Sequence, residues 1–192
     1  MSIAHARIRL WTREEFARMA TQGLFSPNER VELIEGEIVA MTPQGSLHMV
    51  AIMLVQGVLQ RVFSAGDVVA VQLPLALGLR SMPEPDCAVL LGSARDYRDA
   101  YPTTAVLVVE VADATLQFDR IEKPSMYAAA GIGDYWVLNL VDRTLEVYRG
   151  PGPQVGAPFG RAYHSKLLVG PDERVTPLAA PGASIPVADL LP

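Results

Sequence analysis

The sequence predicts an α/β fold in which a mixed central β-sheet is flanked by helices. Apolar residues recur at helical spacing over residues 47–63, which indicates a long helix with one buried face. Residues 105–111 are aliphatic apart from Glu110, as expected of a central strand that is covered on both sides. The length of 192 residues suits one domain, predicted to span residues 1–192 with its core at about 11–149.

A helix and a hairpin are predicted before the long helix. Thr12 and Glu15 have the spacing of a capping box, which predicts the start of a short helix. The pair Glu35 and Gly36 stands between two apolar runs, which predicts a tight hairpin. The buried side of this hairpin is expected to consist of four apolar residues, Val31, Leu33, Ile38 and Met41.

The second half of the chain alternates strands with one helix. The helix is predicted over residues 121–130, with Pro124 in its first turn, where a missing N–H costs little. Residues 150–192 are rich in glycine and proline and are expected to form a peripheral extension. The other strands are predicted at 68–79 with an interruption at Pro74, at 85–91, and as a hairpin at 135–140 and 144–149.

Composition narrows the classes of function. The net charge of −5 argues against a general nucleic-acid coat protein, but a metal site built from carboxylates is compatible with it. Half of the residues are hydrophobic and only 19% are charged, which is a weak indication of an oligomer interface. The most apolar stretch, residues 49–55, is far shorter than a membrane span, so we expect a soluble cytoplasmic protein.

Two acidic residues stand at the edges of apolar strands. Asp86 opens one predicted strand and Glu110 ends another. A carboxylate at the end of a buried strand is partly desolvated, which is unfavourable unless a cation neutralises it. Two carboxylates on neighbouring strands would suit Mg²⁺ or Mn²⁺.

Lys123 is the third candidate, because the chain has two lysines against fourteen arginines and keeps a lysine here. Each candidate also has a plainer interpretation. A single strand-end acid is often an ordinary surface residue, and Glu32 could lie on the solvent side of its hairpin. His48 could be a helix-cap or surface residue. No zinc-ligand spacing and no Ser-His-Asp order is apparent.

Taken in order, these residues resemble the PD-(D/E)XK nuclease superfamily. The sequence is more closely similar to a bacterial family of restriction-endonuclease-like domains catalogued as a domain of unknown function. The resemblance runs from about residue 11 to 149. It is carried by residues 31–37, 41–43 with His48, Pro85 with Asp86, 109–111, 119–123, 126–131 and 134–138.

The resemblance implies a restriction-endonuclease-like core and a set of site residues. Asp86, Glu110 and the carbonyl of Val111 would bind Mg²⁺ or Mn²⁺, and Lys123 would orient the attacking water. Glu32 and His48 would lie near the site, and Asp119 would position Lys123. DNA is the implied substrate, and a homodimer would place two sites across a duplex. The four arginines at positions 80, 95, 98 and 120 are expected to form a phosphate-binding rim.

Two other functions remain open at this point. A catalytically decayed nuclease fold could serve as a nucleic-acid-binding or protein-interaction module, which the acidic net charge and the loop at 112–116 favour. A metal-dependent hydrolase of smaller phosphodiesters would be favoured by a narrow pocket rather than an open cleft.

Overall fold

A computed structural model describes residues 8–26, 29–63, 66–113 and 116–192. Its six-stranded sheet has the order β3-β4-β5-β6-β7-β8, and its neighbouring strands are antiparallel except for the parallel pair β5 and β6. The predicted α/β fold with a mixed sheet is confirmed. The helices are α1 (Arg13–Thr21), α2 (Ser46–Val62) and α3 (Leu116–Ala129). The strands of this sheet are β3 (Asp67–Val71), β4 (Cys87–Leu91), β5 (Leu107–Ala112), β6 (Asp134–Asn139), β7 (Thr144–Pro153) and β8 (Arg161–Val169).

The core lies on both faces of the sheet. Every residue of β5 and β6 is buried, as the aliphatic run in β5 predicted. Helix α2 covers one face, where Val55 and Leu59 belong to the same cluster as Trp136. Helix α3 covers the other face with Met126 and Tyr127. Because α3 forms the crossover between β5 and β6, these two strands run parallel.

The N-terminal hairpin consists of β1 (Val31–Ile34) and β2 (Glu37–Ala40), joined at Glu35 and Gly36, which both have positive φ. The predicted capping box of α1 is present. Of the four apolar residues predicted on its buried side, Leu33 is buried and Val31 and Ile38 pack against the same cluster, but Met41 does not belong to it. Glu32 is buried beside Leu33 and Ile34, whereas Val31, Ile38 and Met41 are only partly buried. An isolated bridge from Leu33 to Met82 holds the hairpin against the loop before β4.

Several predicted boundaries shift. The strand predicted at 68–79 ends at Val71, because Gln72 adopts a positive φ and the chain turns there.

Helix α3 begins at Leu116, so Pro124 lies in its interior and not in its first turn. Proline lacks the N–H that would bond to the carbonyl of residue 120. The Tyr135 hydroxyl donates to the neighbouring carbonyl of Asp119, which adds a tertiary contact next to this break. Residues 114 and 115, in the loop between β5 and α3, lie outside the described residues.

The C-terminal segment lies partly at the edge of the sheet, as a peripheral extension would, but its last apolar residues reach the core. Strand β8 forms one edge of the sheet, and β9 (Arg174–Val175) pairs with β10 (Ile185–Pro186). Val187 and Leu190, in a short 3₁₀ turn, are fully buried in the core under α2. Proline and glycine made this segment look irregular in sequence, but its last apolar residues complete the core. Among the described helices, none has the length and apolar character required to cross a membrane.

Candidate active site

Strand register brings Asp86 and Glu110 together. Cys87 pairs with Val109 across the antiparallel strands β4 and β5, so Asp86 lies opposite Glu110 one position further along. The Asp86 side chain accepts the N–H of Val111 through Oδ2 at 2.8 Å. The Asp86 N–H points towards Glu110 Oε2 at 3.4 Å. Both carboxylates are therefore fixed by the backbone of two central strands, and both are buried, with 5% and 2% of their surfaces exposed.

Lys123 reaches this pair from α3. Its Nζ lies 2.9 Å from Glu110 Oε1 and 3.5 Å from Asp119 Oδ1, one helical turn earlier. Only 7% of the Lys123 surface is exposed, so the ammonium is held among carboxylates rather than in solvent. Interior Pro124 does not prevent this approach, since Lys123 remains within the helix.

Glu32 and His48 lie in the same cleft. Glu32 accepts the N–H of Glu84 at 2.7 Å, next to the loop that leads into β4. His48, in the first turn of α2, has its Nε2 at 3.2 Å from Asp86 Oδ1. Both side chains are buried, so neither Glu32 nor His48 is an ordinary surface residue. The structure thus brings all five predicted catalytic side chains to one place.

The cleft holds more acidic than basic groups. Its cavity of about 210 Å³ is also lined by Val111. Among its described lining residues, the cationic or titratable basic side chains are Lys123 and His48, and there is no arginine. The carboxylates that line it are Glu32, Glu84, Asp86, Glu110, Asp113 and Asp119. This excess of negative charge in a poorly solvated space favours the binding of a cation.

The pKa shifts reflect this imbalance. Burial raises the pKa of Glu110 to about 8, because the attraction of Lys123 does not offset desolvation and the neighbouring carboxylates. Burial likewise raises the pKa of Glu32. Burial opposes the charge on Lys123, but Glu110 and Glu32 outweigh it and raise the pKa of the ammonium. The lysine therefore stays charged among carboxylates whose own ionisation is opposed by burial.

Asp86 behaves differently from Glu110. Burial acts to raise its pKa, but the hydrogen bond and charge of His48, the N–H of Val111 and the charge of Lys123 together lower it. Asp86 therefore ionises at a lower pH than Glu110 does.

The donor set fits a hard divalent cation. In the described ranges, no three histidine, cysteine or carboxylate side chains come close enough to form a metal cage alone. Mg²⁺ does not need such a cage, because it usually binds through one or two carboxylates and keeps several waters. Asp86 and Glu110 supply two carboxylates, and the backbone of Val111 lies beside them.

Other residues at the site were not predicted. Gln44 donates to Asp86 Oδ1 at 3.3 Å, and Tyr127 donates to Glu110 Oε1 at 2.7 Å. Asp113 Oδ2 lies 3.9 Å from His48 Nδ1. Tyr127 could have been found from its spacing, because Asp119, Lys123 and Tyr127 recur every four residues and so share one face of a helix.

The predicted arginine rim does not line the cleft. Arg120 is bound to Glu146 and lies 3.8 Å from Asp142. Arg98 pairs with Asp99, both at the surface. Proximity to Asp86 and Lys123 in sequence was a poor guide, because the side chains of neighbouring residues on a helix or loop point in different directions.

Comparison with known proteins identifies the family and the fold of the chain. Among curated protein sequences, none matches the chain significantly. A crystal structure described as a putative nuclease belonging to DUF820, from Anabaena variabilis ATCC 29413, is similar with a TM-score of 0.67. That protein is 19% identical, and the similarity covers 93% of this chain and 96% of the other. The two proteins therefore share a fold. The Uma2 family model, described as "Putative restriction endonuclease", matches residues 13–188, and the chain therefore belongs to the Uma2 family.

Proposed function

We propose that this protein is a metal-dependent endonuclease that hydrolyses phosphodiester bonds of DNA. The observation that carries the proposal is the meeting of Asp86, Glu110 and Lys123 in one cleft with an excess of carboxylates. The family and the nuclease-like structural relative support hydrolysis of nucleic acid. The metal in this proposal is Mg²⁺ or Mn²⁺, and the nucleic acid is DNA.

Each residue has a role that its surroundings support. Asp86 and Glu110 would hold the metal, with the Val111 carbonyl as a third oxygen ligand. A divalent cation in this position supplies Lewis acidity, lowers the pKa of a water and polarises a phosphate. Lys123, which stays charged, would orient the water and stabilise negative charge on the phosphate. Asp119 would fix the Lys123 ammonium, and His48 would hold Asp86.

Binding of DNA would depend on the metal. The described lining of the cleft is acidic and has no arginine, so a phosphate would be repelled until a cation is bound. A homodimer would present two such clefts to a duplex. Apolar side chains exposed on the first half of α2 are compatible with an interface there, namely Leu47, Met49 and Met53.

The first test is plasmid cleavage by highly purified protein with Mg²⁺ or Mn²⁺. Asp86→Ala is the test variant, and Asp99→Ala, an exposed aspartate paired with Arg98 outside the cleft, is the matched control. We expect cleavage by the wild type and Asp99→Ala and none by Asp86→Ala. Equal cleavage by all three would indicate a contaminant and would contradict the role of Asp86.

A smaller phosphodiester is the second candidate substrate. The observation that favours it is the burial of the site: Asp86, Glu110 and Lys123 are each at most 7% exposed in a cavity of about 210 Å³. Bis(p-nitrophenyl) phosphate distinguishes the two, since metal-dependent release of nitrophenol without plasmid cleavage would favour the small substrate. Metal-independent DNA binding without either reaction would favour a decayed nuclease fold.

A further inference from the structure

We propose that Tyr127 is a positioning residue that selects which oxygen of Glu110 faces the metal. This inference rests on the proposed metal site.

The contacts of the two Glu110 oxygens are unequal. Oε1 accepts the Tyr127 hydroxyl at 2.7 Å and lies 2.9 Å from Lys123 Nζ. Among the described residues, Oε2 accepts only the backbone N–H of Asp86 at 3.4 Å, which is a long contact. With Oε1 held by two close donors, Oε2 is the oxygen turned towards Asp86 and left for a metal.

The surroundings of Tyr127 restrict the orientation of its side chain. Its side chain is fully buried, and its ring packs against Tyr135 with centroids 5.1 Å apart. It stands on the same face of α3 as Lys123, one turn further along. A ring confined in this way has few alternative rotamers, so its hydroxyl fixes the carboxylate at a defined angle.

Tyr127 also differs from Lys123 in charge. A tyrosine hydroxyl donates a hydrogen bond without adding a positive charge, whereas a second lysine or an arginine would neutralise Glu110. Tyr127 therefore orients the carboxylate and leaves its charge available to a cation. Partners of metal-binding carboxylates commonly change metal affinity by about 10- to 100-fold when they are removed.

The test compares Tyr127→Phe with Tyr163→Phe. Tyr163 is a matched control, because its ring stacks on Tyr135 and its hydroxyl donates to the Ile132 carbonyl at 2.8 Å instead of to a carboxylate of the cleft. Binding of Mn²⁺ alone is measured by isothermal titration calorimetry on the full-length chain, and Tm is measured for each variant without metal. We expect Tyr127→Phe to bind Mn²⁺ about 10- to 100-fold more weakly and Tyr163→Phe to bind like the wild type.

Each of the following outcomes would overturn the inference. Wild-type affinity in Tyr127→Phe would remove the positioning role. An equal loss of affinity in both variants would indicate a general effect of the aromatic cluster. A lower Tm in Tyr127→Phe with unchanged affinity would indicate a purely structural hydroxyl. Failure of the wild type to bind Mn²⁺ would instead refute the proposed metal site, and the inference with it, so the two failures are distinguishable.

Discussion

Two buried glutamates in this fold have similar partners, but their pKa values are shifted in opposite directions. Glu110, in the cleft, is contacted by one lysine and one tyrosine hydroxyl. Glu146, on β7, is fully buried and is contacted by Lys166, by the Tyr148 hydroxyl and by Arg120. Burial raises the pKa of Glu110 to about 8. Burial also acts to raise the pKa of Glu146, but its three donors outweigh this and lower it.

The difference lies in the balance of charge around each carboxylate. Glu146 has two cations within 2.8 Å and is satisfied by the protein. Glu110 shares Lys123 with Asp119, and the charges of Glu32 and Asp86 act on it as well. We infer that the Glu146 cluster is structural and that the cleft is completed by a cation from solution. Substitutions in one cluster at a time test this difference.

The largest effect is expected from Lys123→Met. Loss of the ammonium removes a group proposed to stabilise charge in the transition state, so we expect DNA cleavage to slow by at least about 100-fold. The matched control is Lys166→Met, the other lysine of the chain, which contacts Glu146 outside the cleft. Its cleavage rate should stay within about twofold of the wild type, since Glu146 keeps Arg120. A comparable loss of activity in both variants would contradict a specific role of Lys123.

The next effect concerns pH. The pKa of Glu110 lies near 8 in the folded protein and at an ordinary 4.5 when the chain is unfolded. Between these values the folded state binds the extra proton, so the contribution of Glu110 to stability is fully present below about pH 4.5 and is lost as pH rises towards 8. The slope for one such proton is at most about 1.4 kcal/mol per pH unit.

Urea unfolding of the metal-free protein at several pH values measures this slope. Glu110→Gln cannot bind the extra proton, so its stability should fall less steeply over the same range. Glu146→Gln is the control and should not flatten the slope, because the pKa of Glu146 is lowered rather than raised. Identical slopes in wild type and Glu110→Gln would show that Glu110 is not the titrating group.

A smaller effect is expected when Mg²⁺ is added. A ligand at 100 times its Kd stabilises the folded state by about 2.7 kcal/mol, which corresponds to roughly 5 to 10 °C in Tm for a chain of this size. The wild type and Glu146→Gln should show this rise, whereas Asp86→Ala should not. A rise of equal size in Asp86→Ala would place the cation elsewhere and undermine the contrast between the two clusters.

The smallest effect is expected for the stability of Lys166→Met. Lys166 is close to half exposed, and an ion pair in such a position contributes about 1 kcal/mol or less. Urea unfolding at neutral pH should therefore detect only a small decrease. A loss of several kcal/mol would mean that Arg120 and Tyr148 alone do not satisfy Glu146.

The side chains singled out in the sequence lie in one cleft, whereas several of their neighbours there were not predicted. Asp86 and Glu110 could be singled out because each stands at the edge of a predicted apolar strand, and Lys123 because the chain has only two lysines. The orientation of Tyr127 and the approach of Gln72 to Asp86 depend on packing and on a positive φ, which no local pattern encodes.

The positions of individual elements were predicted wrongly mainly where distant contacts override local preference. Pro124 is tolerated within α3, although proline usually ends a helix. Val187 and Leu190 belong to the core, although the segment around them is rich in glycine and proline. In both places the burial of apolar surface by the rest of the protein decides the outcome.

The pairing of β4 with β5 has a consequence for how this protein can tolerate change. Successive side chains alternate between the faces of a sheet, so inserting one residue within β4 would turn Asp86 away from Glu110. An insertion of the same length in the loop at 92–106 would leave both carboxylates where they are. The length of that loop is therefore free to vary, while the lengths of the two strands are fixed by the chemistry at their ends.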